Sequence, residues 1–287
     1  MSGAEVLGAG QFVTRDGLCW LEPAAPLMPG VRVAVTTRAG GVSVGSREGL
    51  NLASHVGDEP ARVEENRRRL RHALDLPAEP CWLQQVHGTA VADTDTVART
   101  DSDTNPEQWA PPVADAAITR GEQVLAILTA DCLPVVFAVP RRGAAPGEPV
   151  LLGAAHAGWR GLVAGVLEAT LARLVAAGGD LAGTVAWMGP AIGPTAFEVG
   201  DEVRAAFVAA DSVATAAFAR NERGRWQANL FLLARQRLAR AGVPTVLGGG
   251  VCTVSDAVRW YSYRRDARPH ADTGRLATLV WRERVTL

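Results

Sequence analysis

The stretch LTADCLPVV, residues 128–136, joins two apolar runs through an aspartate and a cysteine. The first run begins near Val124 and is typical of a strand buried on both faces, because such a strand is a near-continuous apolar segment. Asp131 and Cys132 end that run, and the chain then resumes as Leu-Pro-Val-Val, where Pro134 is expected to interrupt regular strand pairing. A carboxylate and a thiol at such a point are candidates for a functional role.

Strand-like and helix-like segments alternate along the rest of the chain. Strands are predicted at 31–37, at the start of TVAWMGPAIG (184–193), where a glycine-proline turn follows, and in LATLVW near the C-terminus. Helices are predicted at about 60–75 (with Asp58 as N-cap), 162–177, 201–210 and 230–241. The pattern has neither an internal repeat nor the regular period of a doubly wound fold or a TIM barrel. We therefore expect a mixed α/β or α+β fold.

We also expect one domain over residues 1–287, with a short extension at about 1–10. Two polar, proline-containing segments, 99–112 and 140–149, are predicted to be surface excursions.

The basic residues restrict the possible chemistry, because all 29 of them are arginine. A Schiff-base lysine, a pyridoxal-phosphate site and a P-loop lysine are therefore excluded. A net charge of −1 and a hydrophobic fraction of 48% give no indication of a nucleic-acid or membrane partner. With no secretory signal, four widely spaced cysteines and no heptad pattern, the sequence predicts a monomer in the reducing cytoplasm.

Two of the five histidines stand in strand-like surroundings. His87 in WLQQVHG and His156 in LLGAAHAGWRG each follow an apolar stretch and precede a glycine within two residues. The backbone is therefore expected to turn at each of these histidines, which would present the imidazole at the end of a sheet. A similar turn is expected at Cys132.

The trio of His87, Cys132 and His156 has three interpretations. Zinc accepts both imidazole and thiolate, and three protein ligands would leave an open, catalytic position. Alternatively, Cys132 is a nucleophile with one histidine as its base. In the third interpretation the three residues are buried and unconnected. Their spacing does not decide between these possibilities.

Seven motifs closely resemble those of the YfiH family, also called the polyphenol oxidase or laccase-domain family. They are TTRAGGVS (36–43), LNLASHVGD (50–58), QVHG (85–88), TADCLPV (129–135), AHAGWRG (155–161), GPAIGPTAFEVG (189–200) and YSYRRD (261–266). The resemblance implies a fold related to the catalytic domain of cytotoxic necrotizing factor, with layered sheets between helices. It also implies that His87, Cys132 and His156 are catalytic zinc ligands.

The activities implied by this resemblance are phosphorolysis of adenosine, inosine, guanosine and methylthioadenosine, and deamination of adenosine. Purine nucleosides and phosphate are the expected partners. Without lysine, arginines must bind the phosphate, and Arg38, Arg160 and Arg264 lie within the shared motifs. A structural ion pair is the alternative role for each of these arginines.

Three further residues in the motifs are candidates for the site. Asn51 would bind a ribose hydroxyl or a base edge, or else close a turn. Gln85 would line the pocket or support a ligand, since on a strand it points the same way as His87. Asp131 is expected to face away from the metal, orienting a ligand from behind or holding its loop.

Other function classes are possible. Laccase chemistry would require copper, but multicopper sites use many histidines and the chain has five, so zinc is the expected metal. A zinc amide hydrolase that edits a peptidoglycan precursor is linked to the same family, and a purely structural zinc is a third alternative. Thr195 and Asn229 depart from the family pattern and affect the expectation for the pocket rather than for the ligands.

Overall fold

The computed structural model describes residues 10–96, 110–145, 147–267 and 272–283. Two large β-sheets and a small one are combined with short helices, which confirms the predicted mixed α+β class. The predicted extension at 1–10 and the excursion at 99–112 lie almost entirely outside the described residues. Residues 140–145 and 147–149, the second predicted excursion, are half-buried or exposed.

The strands form three sheets. The five-stranded sheet has the order β1 (Gln11–Arg15), β2 (Leu18–Glu22), β3 (Val31–Thr36), β14 (Leu276–Arg282) and β6 (Leu125–Thr129). The six-stranded sheet has the order β13 (Thr245–Gly248), β9 (Val185–Met188), β7 (Leu133–Val139), β8 (Leu151–Ala157), β5 (Ala116–Thr119) and β4 (Val91–Asp93). The small sheet contains β10 (Glu198–Val199), β12 (Trp226–Ala228) and β11 (Phe218–Arg220).

In the part of the chain that the structure describes, the sheets are accompanied by six α-helices: α1 (Pro60–Ala73), α2 (Trp159–Ala164), α3 (Val166–Ala176), α4 (Asp201–Ala210), α5 (Leu230–Arg240) and α6 (Tyr263–Asp266). Helix α1 packs on the outer face of the five-stranded sheet, and α2 to α5 cover the outer face of the six-stranded sheet. Within the described ranges, no helix has the length and apolarity needed to cross a membrane.

The two large sheets pack face to face, which produces the predicted layers. Along β7, Val135 and Phe137 point to the helical side, whereas Val136 and Ala138 point to the other sheet. This period of two is the strand alternation, and both faces are apolar because both are covered. The continuous apolar runs around LTADCLPVV therefore reflect burial in the middle of four layers.

The LTADCLPVV stretch crosses from one sheet to the other. Strand β6 ends at Thr129 in the five-stranded sheet, and β7 begins at Leu133 in the six-stranded sheet. Asp131 in the connection has a φ of 89°, so the backbone turns sharply there. The expectation that Pro134 interrupts pairing is wrong: it is the second residue of β7 and lies opposite His156. Proline is tolerated so close to a strand start.

Two helix predictions are also corrected. The helix expected at 162–177 is two helices, because Gly165 adopts a φ of 100° between α2 and α3. A left-handed residue ends one helix and lets the chain change direction. Asp58 does not cap α1, whose N-cap is Glu59. The Asp58 carboxylate instead accepts hydrogen bonds from Ser43 Oγ (2.6 Å) and Asn51 Nδ2 (2.8 Å).

Candidate metal centre and cleft

Strand register brings Cys132 and His156 together. In the antiparallel β7–β8 pair, Leu133 lies opposite Ala157 and Pro134 opposite His156. Cys132, one residue before β7, is therefore next to Gly158, one residue after β8. A Cβ at Gly158 would lie 3.0 Å from Cys132 Sγ and 2.9 Å from the His87 ring. A side chain at this position would therefore collide with two residues of the cluster, and only glycine fits.

His87 completes the cluster from a turn rather than from a strand. The residues directly before it, 81–86, form only isolated bridges and no strand, contrary to the prediction, and His87 has a φ of 63°, which is uncommon for a residue other than glycine. Its Nε2 lies 3.8 Å from Cys132 Sγ, and its ring meets the His156 ring edge to face at 4.7 Å between centroids.

The side chains of His87, Cys132 and His156 thus converge, with one ligand atom from each within 4.8 Å of the others. Tetrahedral zinc with ordinary bond lengths would separate a sulfur and a nitrogen ligand by about 3.6 Å. The 3.8 Å between Cys132 Sγ and His87 Nε2 is close to that value. One thiolate, two imidazoles and an open side therefore fit a three-ligand metal site, and the soft sulfur also accepts copper.

Asp115 holds both histidines of this centre. The carboxylate is fully buried, and its Oδ1 accepts hydrogen bonds from the His87 backbone N–H (2.8 Å) and lies 2.9 Å from His156 Nδ1. Its Oδ2 accepts hydrogen bonds from the backbone N–H groups of Val86 (3.1 Å) and Gly88 (2.6 Å). The Nδ1 contact leaves His156 Nε2 for a metal, the usual arrangement in carboxylate–histidine–metal sites.

The charges at the centre are coupled. Burial disfavours ionisation of the Cys132 thiol, but the imidazoles, chiefly His156, lower its pKa to about 6. Burial also disfavours a charge on His156, yet the Cys132 sulfur and Asp115 raise the pKa of this imidazole to about 9. Despite its burial, Asp115 has a lowered pKa because His156 and the turn at Gly88 donate to it. A thiolate is thus ready to bind a metal, while the proton on His156 must leave.

Asp115 was not predicted from the sequence, whereas Asp131 was. Asp131 is bonded to Thr253 Oγ1 (2.5 Å), Ser262 Oγ (3.0 Å) and the backbone N–H of Arg264 (2.7 Å). It therefore holds its own turn against the 253–264 segment, which is the second of its predicted roles, and the ligand-orienting carboxylate is Asp115. The sequence feature that could have indicated Asp115 is its position in VADAAIT, where it is a lone carboxylate directly before an apolar strand.

A cleft of about 450 Å³ opens at the metal centre. Besides the three ligands and Asp131, it is lined by His55, Gln85, Leu128, Thr129, Ala130, Trp159, Arg160, Ile192, Phe197, Leu230, Tyr263, Arg264 and Arg275. Such a volume with a largely apolar lining suits a small organic ligand. Gln85 lines the cleft as predicted, but its amide is bonded to the backbone N–H and C=O of Leu128, both at 2.8 Å.

The structure separates the predicted arginines. Arg160 lines the cleft and stacks on Trp159 at 4.6 Å. Arg264 also lines the cleft, and its guanidinium donates to the carbonyl oxygens of Ala196 and Glu198, both at 3.1 Å.

Arg38 and Asn51 do not line this cleft, so their predicted contacts with substrate are not supported. Arg38 stacks on Tyr261 and donates to the carbonyl oxygens of Ala257 and Glu48 in a separate surface hollow. Asn51 is fully buried. Its side-chain amide is hydrogen-bonded to the backbone of Ala53, the carboxylate of Asp58 and the backbone N–H of Arg275.

Comparisons with known proteins identify the family of this chain. The model of a family described as multi-copper polyphenol oxidoreductase laccase matches residues 32–283. A protein of Pseudomonas aeruginosa named purine nucleoside phosphorylase is 49% identical over 265 residues, covering 91% of this chain and 98% of that protein. Escherichia coli purine nucleoside phosphorylase YfiH is 45% identical over 260 residues, covering 90% and 97%.

A solved structure extends the similarity to the fold. The crystal structure of a Neisseria meningitidis protein superposes with a TM-score of 0.79 at 37% identity, and the match covers 92% of this chain and 99% of that one. The family match spans most of the chain, and relatives of high identity are matched over nearly their whole length. The chain therefore belongs to the YfiH family, whose family model carries the laccase description.

Proposed function

We propose that the protein is a zinc-dependent purine nucleoside phosphorylase that also deaminates adenosine. The observation that carries this proposal is the open His87, Cys132 and His156 site at the base of a cleft of about 450 Å³ with cationic side chains. The relatives named purine nucleoside phosphorylase support the same assignment. Four free cysteines support its placement in the reducing cytoplasm, and we propose that it acts there as a monomer.

Phosphate binding falls to the arginines of the cleft. Within the described parts of the chain, the Arg160 side chain makes neither a hydrogen bond nor an ion pair, and the Arg264 guanidinium donates only to neutral carbonyl groups. Neither guanidinium charge is therefore neutralised by a carboxylate, whereas Arg275 is paired with Asp272 at 3.1 Å. Two unneutralised arginine forks suit phosphate oxygens, which they bind through paired N–H donors.

The reaction requires a phosphate oxygen to form a bond with C1′ of the ribose while the bond from C1′ to the purine nitrogen breaks. The electron pair of that bond leaves with the purine, which then takes up a proton. Apolar side chains of the cleft, including Ile192, Phe197 and Leu230, exclude water from these atoms. Phosphate then has less competition from water as the nucleophile that attacks C1′. When bound, zinc would supply a Lewis acid for a reacting oxygen or lower the pKa of water to about 7.

Adenosine deamination is included because it needs an activated water, and a three-ligand site leaves a position for one. Phosphorolysis and deamination act on opposite ends of the nucleoside, at C1′ and at C6. Adenosine must therefore enter the cleft in two orientations if both occur at the same centre.

Incubation of purified protein with adenosine, with and without phosphate, tests the proposal. We expect adenine and ribose 1-phosphate only when phosphate is present, and a slower formation of inosine in both reactions. Metal analysis of the same preparation distinguishes zinc from copper. Oxidation of a phenol by copper-loaded protein, without purine release, would instead support the laccase description, and absence of all these products would favour amide hydrolysis.

A further inference from the structure

His55 is a polar side chain of the cleft that remains free for a ligand. Gln85 is occupied by the backbone of Leu128, and Arg275 by Asp272. The imidazole of His55 lines the same cleft but makes no hydrogen bond within the residues that the structure describes. Both of its ring nitrogens are therefore available to a bound molecule.

The loop that carries His55 is fixed to the five-stranded sheet. Asn51 Oδ1 accepts a hydrogen bond from the backbone N–H of Arg275 (3.0 Å), the residue before β14. The guanidinium of Arg67 on α1 donates to the carbonyl oxygen of Leu52 at 2.8 and 3.0 Å. The fully buried Asn51 thus positions the loop instead of touching substrate, and His55 stands at the end of this sheet.

Two of the three metal ligands are positioned by the six-stranded sheet. His156 lies in β8 of the six-stranded sheet, and Cys132 lies directly before β7. Arg160 is the second residue of α2, three residues after the end of β8, and lies on the same side of the cleft as these ligands. A nucleoside with its C1′ near these groups therefore directs its base toward the end of the five-stranded sheet.

The charges around His55 favour a neutral ring. Arg275 and Asp272 face it from the segment before β14, and Arg67 faces it from α1. The His55 side chain is partly exposed, and its partial desolvation in the cleft, followed by the positive charge of Arg275, lowers its pKa below the usual 6.5, while Asp272 opposes this shift. Near pH 7 the ring is thus a neutral imidazole, in which one nitrogen donates a hydrogen bond and the other accepts one.

We propose that His55 binds the 6-substituent of the purine, accepting a hydrogen bond from the amino group of adenosine or donating one to the oxo group of inosine. This inference rests on the proposed phosphorolysis and adds the residue that admits both classes of base. Exchange of tautomers lets the same imidazole serve both partners, which a lysine or a carboxylate cannot do. Arg275 alone would serve the oxo group only, since a guanidinium has no acceptor.

The ratio of kcat/KM for adenosine to kcat/KM for inosine tests this contact between pH 5.0 and 7.5. Protonation gives an imidazolium that only donates, so we expect the wild-type ratio to fall as the pH is lowered through the pKa of His55, which lies below 6.5. Protonation of the metal ligands or of phosphate affects both substrates and cancels in the ratio. A ratio that is independent of pH would overturn the inference.

Three variants complete the experiment. His55→Gln, whose amide also donates and accepts, should use both nucleosides with a ratio that no longer depends on pH. His55→Leu should lose about 10-fold in kcat/KM for both, mainly through the KM of the nucleoside, with an unchanged KM for phosphate. His72→Gln, at an exposed histidine on α1, is the matched control and should behave as wild type.

Failure of the inference is distinguishable from failure of the proposed function. Wild-type protein that releases no purine from either nucleoside refutes both. An active wild-type enzyme together with a His55→Leu variant of unchanged kinetics refutes the base contact alone. Because the His55 ring is free of hydrogen bonds within the described ranges, the variants should fold normally, and a thermal unfolding curve for each checks this point.

Discussion

Replacement of Asp115 by asparagine tests the inference that one buried carboxylate organises both histidines of the centre. Asparagine has nearly the shape of aspartate but only one acceptor oxygen. If its NH₂ group occupies the Oδ1 position, the His87 backbone N–H and His156 lose their partner. If it occupies the Oδ2 position, the backbone N–H groups of Val86 and Gly88 lose theirs.

In either orientation of the new amide, two hydrogen-bond donors of the protein therefore face its NH₂ group instead of an acceptor oxygen. Each of the two lost hydrogen bonds to a charged acceptor costs about 1.5–3 kcal/mol, so the free energy of unfolding of the metal-free protein should fall by about 3–6 kcal/mol. Zinc affinity should fall about 10- to 100-fold, as expected when the group that orients a ligand is removed. The second effect arises because His156 loses the contact that directs its Nε2 to the metal.

Urea unfolding of the metal-free protein and competition with a chromophoric chelator measure the two quantities separately. Asp256→Asn is the control, because this carboxylate also accepts backbone N–H groups and an arginine but lies outside the cleft. It should retain the zinc affinity of the wild type. An Asp115→Asn variant with wild-type stability and wild-type zinc affinity would refute the role given to Asp115.

Three other predictions follow from the same structure. Cys132→Ala should lose stoichiometric zinc and phosphorolysis together, and full retention of both would contradict the ligand assignment. Arg160→Gln should raise the KM for phosphate about 10- to 100-fold, whereas Arg38→Gln, outside the cleft, should leave it unchanged. Burial raises the pKa of Cys81 to about 11, so the folded state keeps a proton that the unfolded chain loses above pH 8.5. The free energy of unfolding should therefore fall by about 1–2 kcal/mol between pH 8.5 and 10, and Cys81→Ala should remove this part of the pH dependence in urea titrations.

Local pattern predicted the fold class and most of its elements. The apolar run before Asp131 indicated a strand covered on both faces, and the structure has that strand, β6, together with a second one, β7, after Cys132. It did not reveal that these strands belong to different sheets, because the alternation of side chains is the same in either sheet. The break at Gly165 was missed since an alanine- and leucine-rich segment is helical on both sides of it.

The motif residues were predicted with unequal success. The side chains of His87, Cys132 and His156 do converge. Of the other residues in equally specific motifs, Arg160 and Arg264 line the cleft, whereas Arg38 and Asn51 do not. A side chain's partner depends on segments distant in sequence: Asn51 is 224 residues from Arg275, whose backbone it binds. Residue type and spacing carry no information about such pairs.

The sequence by itself determined what chemistry is available: no lysine, one thiol within a buried run, and two histidines before glycines. It also predicted the mixed α+β class, whereas the layered sheets were implied only by the resemblance to the YfiH family. Only the tertiary structure decided that Asp115, and not Asp131, orients a ligand, and that the side chains of Arg160 and His55 make no hydrogen bond among the residues described, while the Gln85 amide is bonded to Leu128. The physical reason is that burial and turning are local properties of a chain, whereas strand register, and with it the partner of each polar group, is fixed when distant segments pack.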